Sequence, residues 1–149
     1  MPEDRPQSDE LTSTRPHCLI AGAGIGGLAA ALFIAQAGWR VTVCDRESAL
    51  QEVGAGIQLA PNATRLLADI GIVRDLDDIA VEPSGIRVWR SGDGRPMLRT
   101  VLGDKATRRF GAPFLVVHRA DVQNALLRRV EANPQIELRL GLRLVDIRE

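Results

Sequence analysis

The chain has 149 residues, 19 basic and 19 acidic, for a net charge of zero, and it is 45% apolar and 26% charged. That is the make-up of an ordinary soluble domain, long enough to bury a real core. It offers no basic excess for nucleic acid, few aromatic side chains for base stacking, and no apolar run long enough to span a bilayer, so neither nucleic acid nor membrane is an expected partner.

Residues 1–15 mix Pro, Ser, Thr and charges of both signs. They lack the apolar core of a signal peptide and read as a disordered leader to a domain over 16–149, in a protein expected to be cytoplasmic. A strand over about 17–22 runs into Gly22-Ala23-Gly24-Ile25-Gly26-Gly27. A helix over about 25–37 follows, stopped by Gly38, and a second strand over about 40–45 ends on Asp45. This β-α-β layout is that of a dinucleotide site, and each part has a physical task. Gly22 permits the tight turn. Gly24, without a Cβ, lets the backbone approach a pyrophosphate, and Gly27 lets the helix lie close to the strand. The helix N-terminus offers unpaired N–H groups and the positive end of its dipole. Asp45 can accept hydrogen bonds from a ribose diol. The motif does not separate FAD from NAD, which present the same ADP half. Cys18 and Cys44 read as small buried hydrophobes, and His17 and His118, each at a strand end, as structural.

Further along, 48–59 reads as a loop centred on Gly54-Ala55-Gly56. Two helices are predicted over about 61–70 and 72–79, interrupted at Gly71. A hairpin over 86–90 and 97–102 turns at Ser91-Gly92-Asp93-Gly94. The polar stretch 103–111 reads as loop and 114–117 as a short buried strand. A helix over 119–132 carries Val122, Leu126 and Val130 on one face, and strands are predicted over 136–140 and 142–147. The roughly ninety residues between the second strand and Ile136 are too many for a plain Rossmann crossover. NAD dehydrogenases seldom insert so much there; the pattern suggests a flavoprotein.

Three segments carry a family likeness in this order and spacing: Gly22-Ala23-Gly24-Ile25-Gly26-Gly27-Leu28, Val53-Gly54-Ala55-Gly56-Ile57-Gln58-Leu59-Ala60-Pro61-Asn62-Ala63, and Val117-His118-Arg119-Ala120-Asp121-Val122. Together they resemble the N-terminal part of single-component FAD-dependent aromatic hydroxylases, of the salicylate hydroxylase and 3-hydroxybenzoate 6-hydroxylase types, over about 16–149. The resemblance implies an α/β fold: a Rossmann-type FAD-binding β-α-β with inserted helices and a β-hairpin, as an incomplete domain. It implies that Gly22, Gly24 and Gly27 cradle the pyrophosphate of a non-covalent FAD. Asp45 stands where most relatives carry Glu, and Arg46 lies beside the adenosine half. The 54–57 loop, with Ala55 and Gly56, runs its backbone close to the flavin. Arg119 reaches the pyrophosphate or ribityl chain, with Gln123 assisting. A cation at a helix start is mildly disfavoured by the dipole, which favours a bound anion as the partner of Arg119.

The implied activity uses NADH or NADPH to reduce FAD, and O2 to hydroxylate a small aromatic substrate. The cofactor supplies that chemistry, and no residue here reads as a general base or nucleophile. The later Asp-Gly and Gly-Asp segments of the family are missing, so the chain reads as less than half of a working enzyme, inactive by itself. In a 3-2-1-4 strand order the first strand is then left with an open edge around Leu19-Ile20-Ala21. Two other readings stay open. One is another FAD-dependent monooxygenase, an epoxidase or a ubiquinone-pathway hydroxylase; the other is a non-catalytic nucleotide-binding fragment.

Overall fold

A computed structural model describes residues 15–50 and 55–148. Most of the expected leader, together with Val53 and Gly54 of the second glycine segment, lies outside the described residues.

Strand β1 (His17–Ala21) leads into α1 (Ile25–Gln36), which returns the chain to β2 (Arg40–Cys44). Helix α1 is apolar on nearly every side, as a helix covered on several sides must be, and Leu28, Ala31, Leu32 and Ala35 are buried. Next come β3 (Gly56–Leu59), α2 (Pro61–Asp69) and α3 (Ile72–Asp75). The break between the two helices is Gly71, at φ +76°. The hairpin β4 (Gly85–Trp89) and β5 (Pro96–Val101) follows, then α4 (Asp104–Phe110), β6 (Leu115–His118), α5 (Arg119–Glu131) and β7 (Ile136–Arg139).

The described strands form three sheets. The first is parallel, in the order β1-β2-β7, with Cys18 beside Val41 and Val41 beside Ile136. Helices α1 and α5 pack on each other and against its strands, and Leu28, Val41, Val43, Val122, Leu126 and Val130 are the heart of the core. The opposite face is more open. Leu19 is 56% exposed there, and Thr42 shares a 2.9 Å hydrogen bond with His17 Nε2, the structural use expected of that histidine. The cysteines are both free. The second sheet pairs β3 with β6 antiparallel, and the third is the hairpin.

Four expectations are corrected. The 48–59 loop gives way at Gly56 to β3, because residues 56–59 find a partner in β6; a four-residue strand has no local signature strong enough to announce itself. The 103–111 segment holds helix α4. Its charged run hides any apolar period, but Gly103 (φ +62°) and Gly111 (φ +76°) bracket it and Ala106 is buried. The alternating 142–147 stretch forms no strand. Gly141 turns at φ +73°, and Val145 and Ile147 lie 87% and 78% exposed. Alternation makes a strand only where a neighbour completes the ladder. The second of the two predicted helices is also shorter than 72–79, ending at Asp75 in a series of turns.

Candidate functional site

The C-terminal ends of β1 and β2 meet at the glycine turn. Gly22 takes φ +110°, open to few residues but glycine, and its N–H donates to the Cys44 carbonyl at 2.7 Å. Gly24 is the N-cap of α1, with no side chain capping the helix and no acidic residue in its first turn. The helix therefore keeps N–H groups of its first turn for something outside it. A Cβ on Gly24 would meet open space, whereas one on Gly27 would run into the Gly22 carbonyl oxygen. One glycine thus leaves room above the turn; the other lets helix and strand touch.

Asp45 reaches back to this turn. Its Oδ2 accepts from Ala23 N–H at 2.6 Å, and its Oδ1 from Glu47 N–H at 2.9 Å. These two backbone donors, helped by the neighbouring Arg46 guanidinium, hold the carboxyl below its ordinary value of 3.8 against a partial desolvation that acts the other way. A carboxylate offers about four lone-pair positions, so two remain for a ligand. Arg46 is exposed and pairs with Glu47 at 3.1 Å.

Gln123 approaches from the other side. It is 5% exposed in α5, and its Nε2 donates to the Ala23 carbonyl at 3.3 Å. The peptide groups on either side of the Ala23 Cα are therefore held by Asp45 on the N–H and Gln123 on the C=O, residues far apart in sequence. Nothing local marks Ala23, and no spacing rule reaches across the 100 residues to Gln123. A cleft of about 410 Å³ opens beside this clamp, lined by Gly24, Asp45, Glu47, Ser48, Leu50 and Gln123 among others. A second, of about 270 Å³, lies on the far side of Asp45, where Leu142 and Leu144 join its wall. The Gly141 and Leu142 N–H groups, donating to the Glu47 and Asp45 carbonyls at 2.9 and 2.8 Å, anchor that wall.

The antiparallel pairing of β3 and β6 joins the other two sequence segments. Gly56 lies opposite His118, and Arg119 N–H donates to the Ala55 carbonyl at 3.0 Å. A Cβ on Gly56 would meet nothing. Arg119 then opens α5, one turn before Gln123. Thus Gly22, Gly24, Gly27, Asp45 and Gln123 are linked directly around the turn, Arg46 borders the smaller cleft, and Ala55, Gly56 and Arg119 share one strand pair leading to the same helix start. Among the described residues no cluster of His, Cys, Asp and Glu could hold a metal. No described helix is long and apolar enough to cross a membrane.

Comparison with known proteins shows the family of the chain. Residues 15–147 match a family described as FAD binding domain. A 3-hydroxybenzoate 6-hydroxylase of Aquipseudomonas alcaligenes is 39% identical, over 87% of this chain and 33% of its own length. A 3-amino-4-hydroxybenzoate 2-monooxygenase of Streptomyces platensis is 37% identical, over 78% of this chain and 30% of its own. Among solved structures, 2-methyl-3-hydroxypyridine-5-carboxylic acid oxygenase superposes with a TM-score of 0.73 at 25% identity, over 87% of this chain and 32% of that one. The chain thus spans about a third of the length of the relatives it matches.

Proposed function

This chain belongs to the FAD binding domain family, and we propose that it holds the ADP half of FAD in an NAD(P)H-dependent monooxygenase that hydroxylates a small aromatic acid. The observation that carries the proposal is the uncapped α1 N-terminus above Gly24, with open space at that glycine and the depressed Asp45 carboxyl hydrogen-bonded to the turn at Ala23 N–H. The residues fit the cofactor. Gly22, Gly24 and Gly27 receive the pyrophosphate against the first turn of α1. Asp45, a carboxylate at neutral pH, keeps lone pairs for the ribose hydroxyls. Arg46 flanks the adenosine, Ala55 and Gly56 offer bare backbone toward the flavin, and Arg119 supplies positive charge to the phosphates or ribityl chain with Gln123 beside it.

When bound, FAD supplies the redox and oxygen chemistry. The described residues bind and orient it, and none is assigned a proton-transfer role. The three relatives above are named for 3-hydroxybenzoate, 3-amino-4-hydroxybenzoate and a hydroxypyridine carboxylic acid. The shared chemistry is a hydroxylated aromatic ring bearing a carboxylate, and it supports a substrate of that class, salicylate-like, with NADH or NADPH as reductant and O2 as co-substrate.

The test has two parts. Protein carrying this chain is denatured and filtered, and the filtrate analysed for nucleotides; free FAD is the expected result. The native protein is then supplied with NADH or NADPH and 3-hydroxybenzoate or salicylate. Coenzyme oxidation with a hydroxylated product supports the reading. Flavin that stays with the denatured protein, or NAD alone in the filtrate, sinks it.

A further inference from the structure

The hairpin carries an arrangement that nothing in the nucleotide site uses. In its register Arg87 lies directly opposite Arg99. Side chains directly opposite on an antiparallel pair share a face, and like charges set that way repel. Nearby carboxylates do not relieve this pair: Asp93 is taken by Arg90 and Arg95, each at 3.4 Å. Among the described residues neither Arg87 nor Arg99 has an ion pair or side-chain hydrogen bond. Two exposed guanidiniums with unspent donors thus face one cleft of about 440 Å³, which they share with Ser84, Gly85 and Val101.

The rest of that face is apolar. Val101 lies opposite Gly85, on the same side as the arginines, and is 50% exposed. Gly85 contributes no side chain, and none is possible, because a Cβ there would stand 2.6 Å from the Thr100 carbonyl oxygen. Trp89, two residues beyond Arg87 on β4, is 54% exposed. The face therefore offers two planar donor forks beside a slot whose apolar wall is Val101 and whose remaining lining is Ser84, Thr100 and the Gly85 backbone. A guanidinium fork matches a carboxylate with two parallel hydrogen bonds, and an anion between the two forks would turn their repulsion into attraction.

We propose that Arg87 and Arg99 form a subsite for the carboxylate of an aromatic acid, with the ring lying against Val101. The proposal rests on the aromatic-acid reading above. It adds where on the fold the acid group is recognised.

Calorimetric titration of sodium benzoate, benzamide and inorganic phosphate tests it, using the protein carrying this chain and measuring FAD content on the same preparation. Benzoate is expected to bind at least about tenfold more tightly than benzamide, as a charge-assisted pair requires. Arg87→Ala and Arg99→Ala should each weaken benzoate by about tenfold while leaving FAD content unchanged, and Arg87→Lys should restore only part of the loss. Both alanine variants should unfold at the same temperature as the parent or higher, because each removes a repulsion. Equal affinity for benzoate and benzamide, unchanged benzoate binding in both variants, or phosphate displacing benzoate at equal concentration would each overturn the proposal. Arginine-dependent benzoate binding in a preparation that takes up no FAD would uphold the subsite and reject the cofactor reading.

Discussion

At Gly24 and Gly27 one residue type meets opposite needs, and substitution separates them. Nothing in the chain lies near a Cβ at Gly24. Gly24→Val should leave the unfolding temperature nearly unchanged while abolishing flavin uptake. Gly27→Ala should instead cost stability, about 1–3 kcal/mol by forcing α1 off β1. A Gly24→Val protein with normal flavin content would refute the phosphate cradle. Asp45 has a pH signature. Its folded-state pKa is depressed, so its contribution is complete above the unfolded value near 3.8 and is lost as pH falls through the folded value. Asp45→Asn leaves one acceptor oxygen for two backbone donors, at about 1–3 kcal/mol. We expect flavin affinity to fall about tenfold or more, and the acid limb of stability below about pH 4 to flatten. An unaltered acid limb in chemical denaturation would show that the carboxylate does not hold the turn. At the start of α5, Arg119→Ala should weaken FAD by about tenfold, the loss of one charge-assisted hydrogen bond, whereas the exposed Arg128→Ala should not. Fluorescence titration returning equal affinities would remove Arg119 from the site.

Between elements, α5 is tied to the break between α2 and α3. Arg129 donates to both Asp75 oxygens, at 2.6 and 2.9 Å, and to the Gly71 carbonyl at 3.1 Å. The pairing lowers the Asp75 pKa, so this tie too loosens as pH falls below the ordinary carboxylate range. The pair is only partly buried, with side chains 39% and 26% exposed, so Arg129→Met should cost only about 1 kcal/mol after solvent screening. Gly71→Ala is more damaging. It forces a side chain to φ +76°, at about 1–2 kcal/mol, and its Cβ would stand 2.7 Å from the guanidinium carbon. Because the alanine already displaces Arg129, the double variant should lose less than the sum of the singles in urea unfolding. Strict additivity would mean that the two residues act independently.

For the whole molecule, the parallel sheet is the exposed liability. In the described residues β1 pairs only with β2, and Leu19 stands 56% open on the face away from α1. Parallel sheets are stable when both faces and both edges are covered. The 149-residue chain by itself should therefore associate through this edge and face. Leu19→Lys should keep it monodisperse at concentrations where the parent scatters light. Equal scattering by the two proteins would locate the sticky surface elsewhere, with the exposed Met97 and Leu98 of β5 the next to test.

The sequence by itself determined the glycine turn. Gly22, Gly24, Gly27 and Asp45 act within one β-α-β unit, where turn geometry and helix packing are local and leave few alternatives. It also carried the hairpin, both of whose strands are registered one residue from their predicted bounds. Only the tertiary structure decided what depends on partners distant in the chain. Residues 56–59 became β3 because β6 lay alongside, while 142–147, with equally strand-like alternation, found no ladder to join and stayed irregular. The Gln123 contact to Ala23 spans 100 residues, and the facing of Arg87 and Arg99 follows from a register that the bulge near Trp89 helps to set. Hydrogen bonds and charges between remote segments are fixed by how elements dock, and no periodicity along the chain records that.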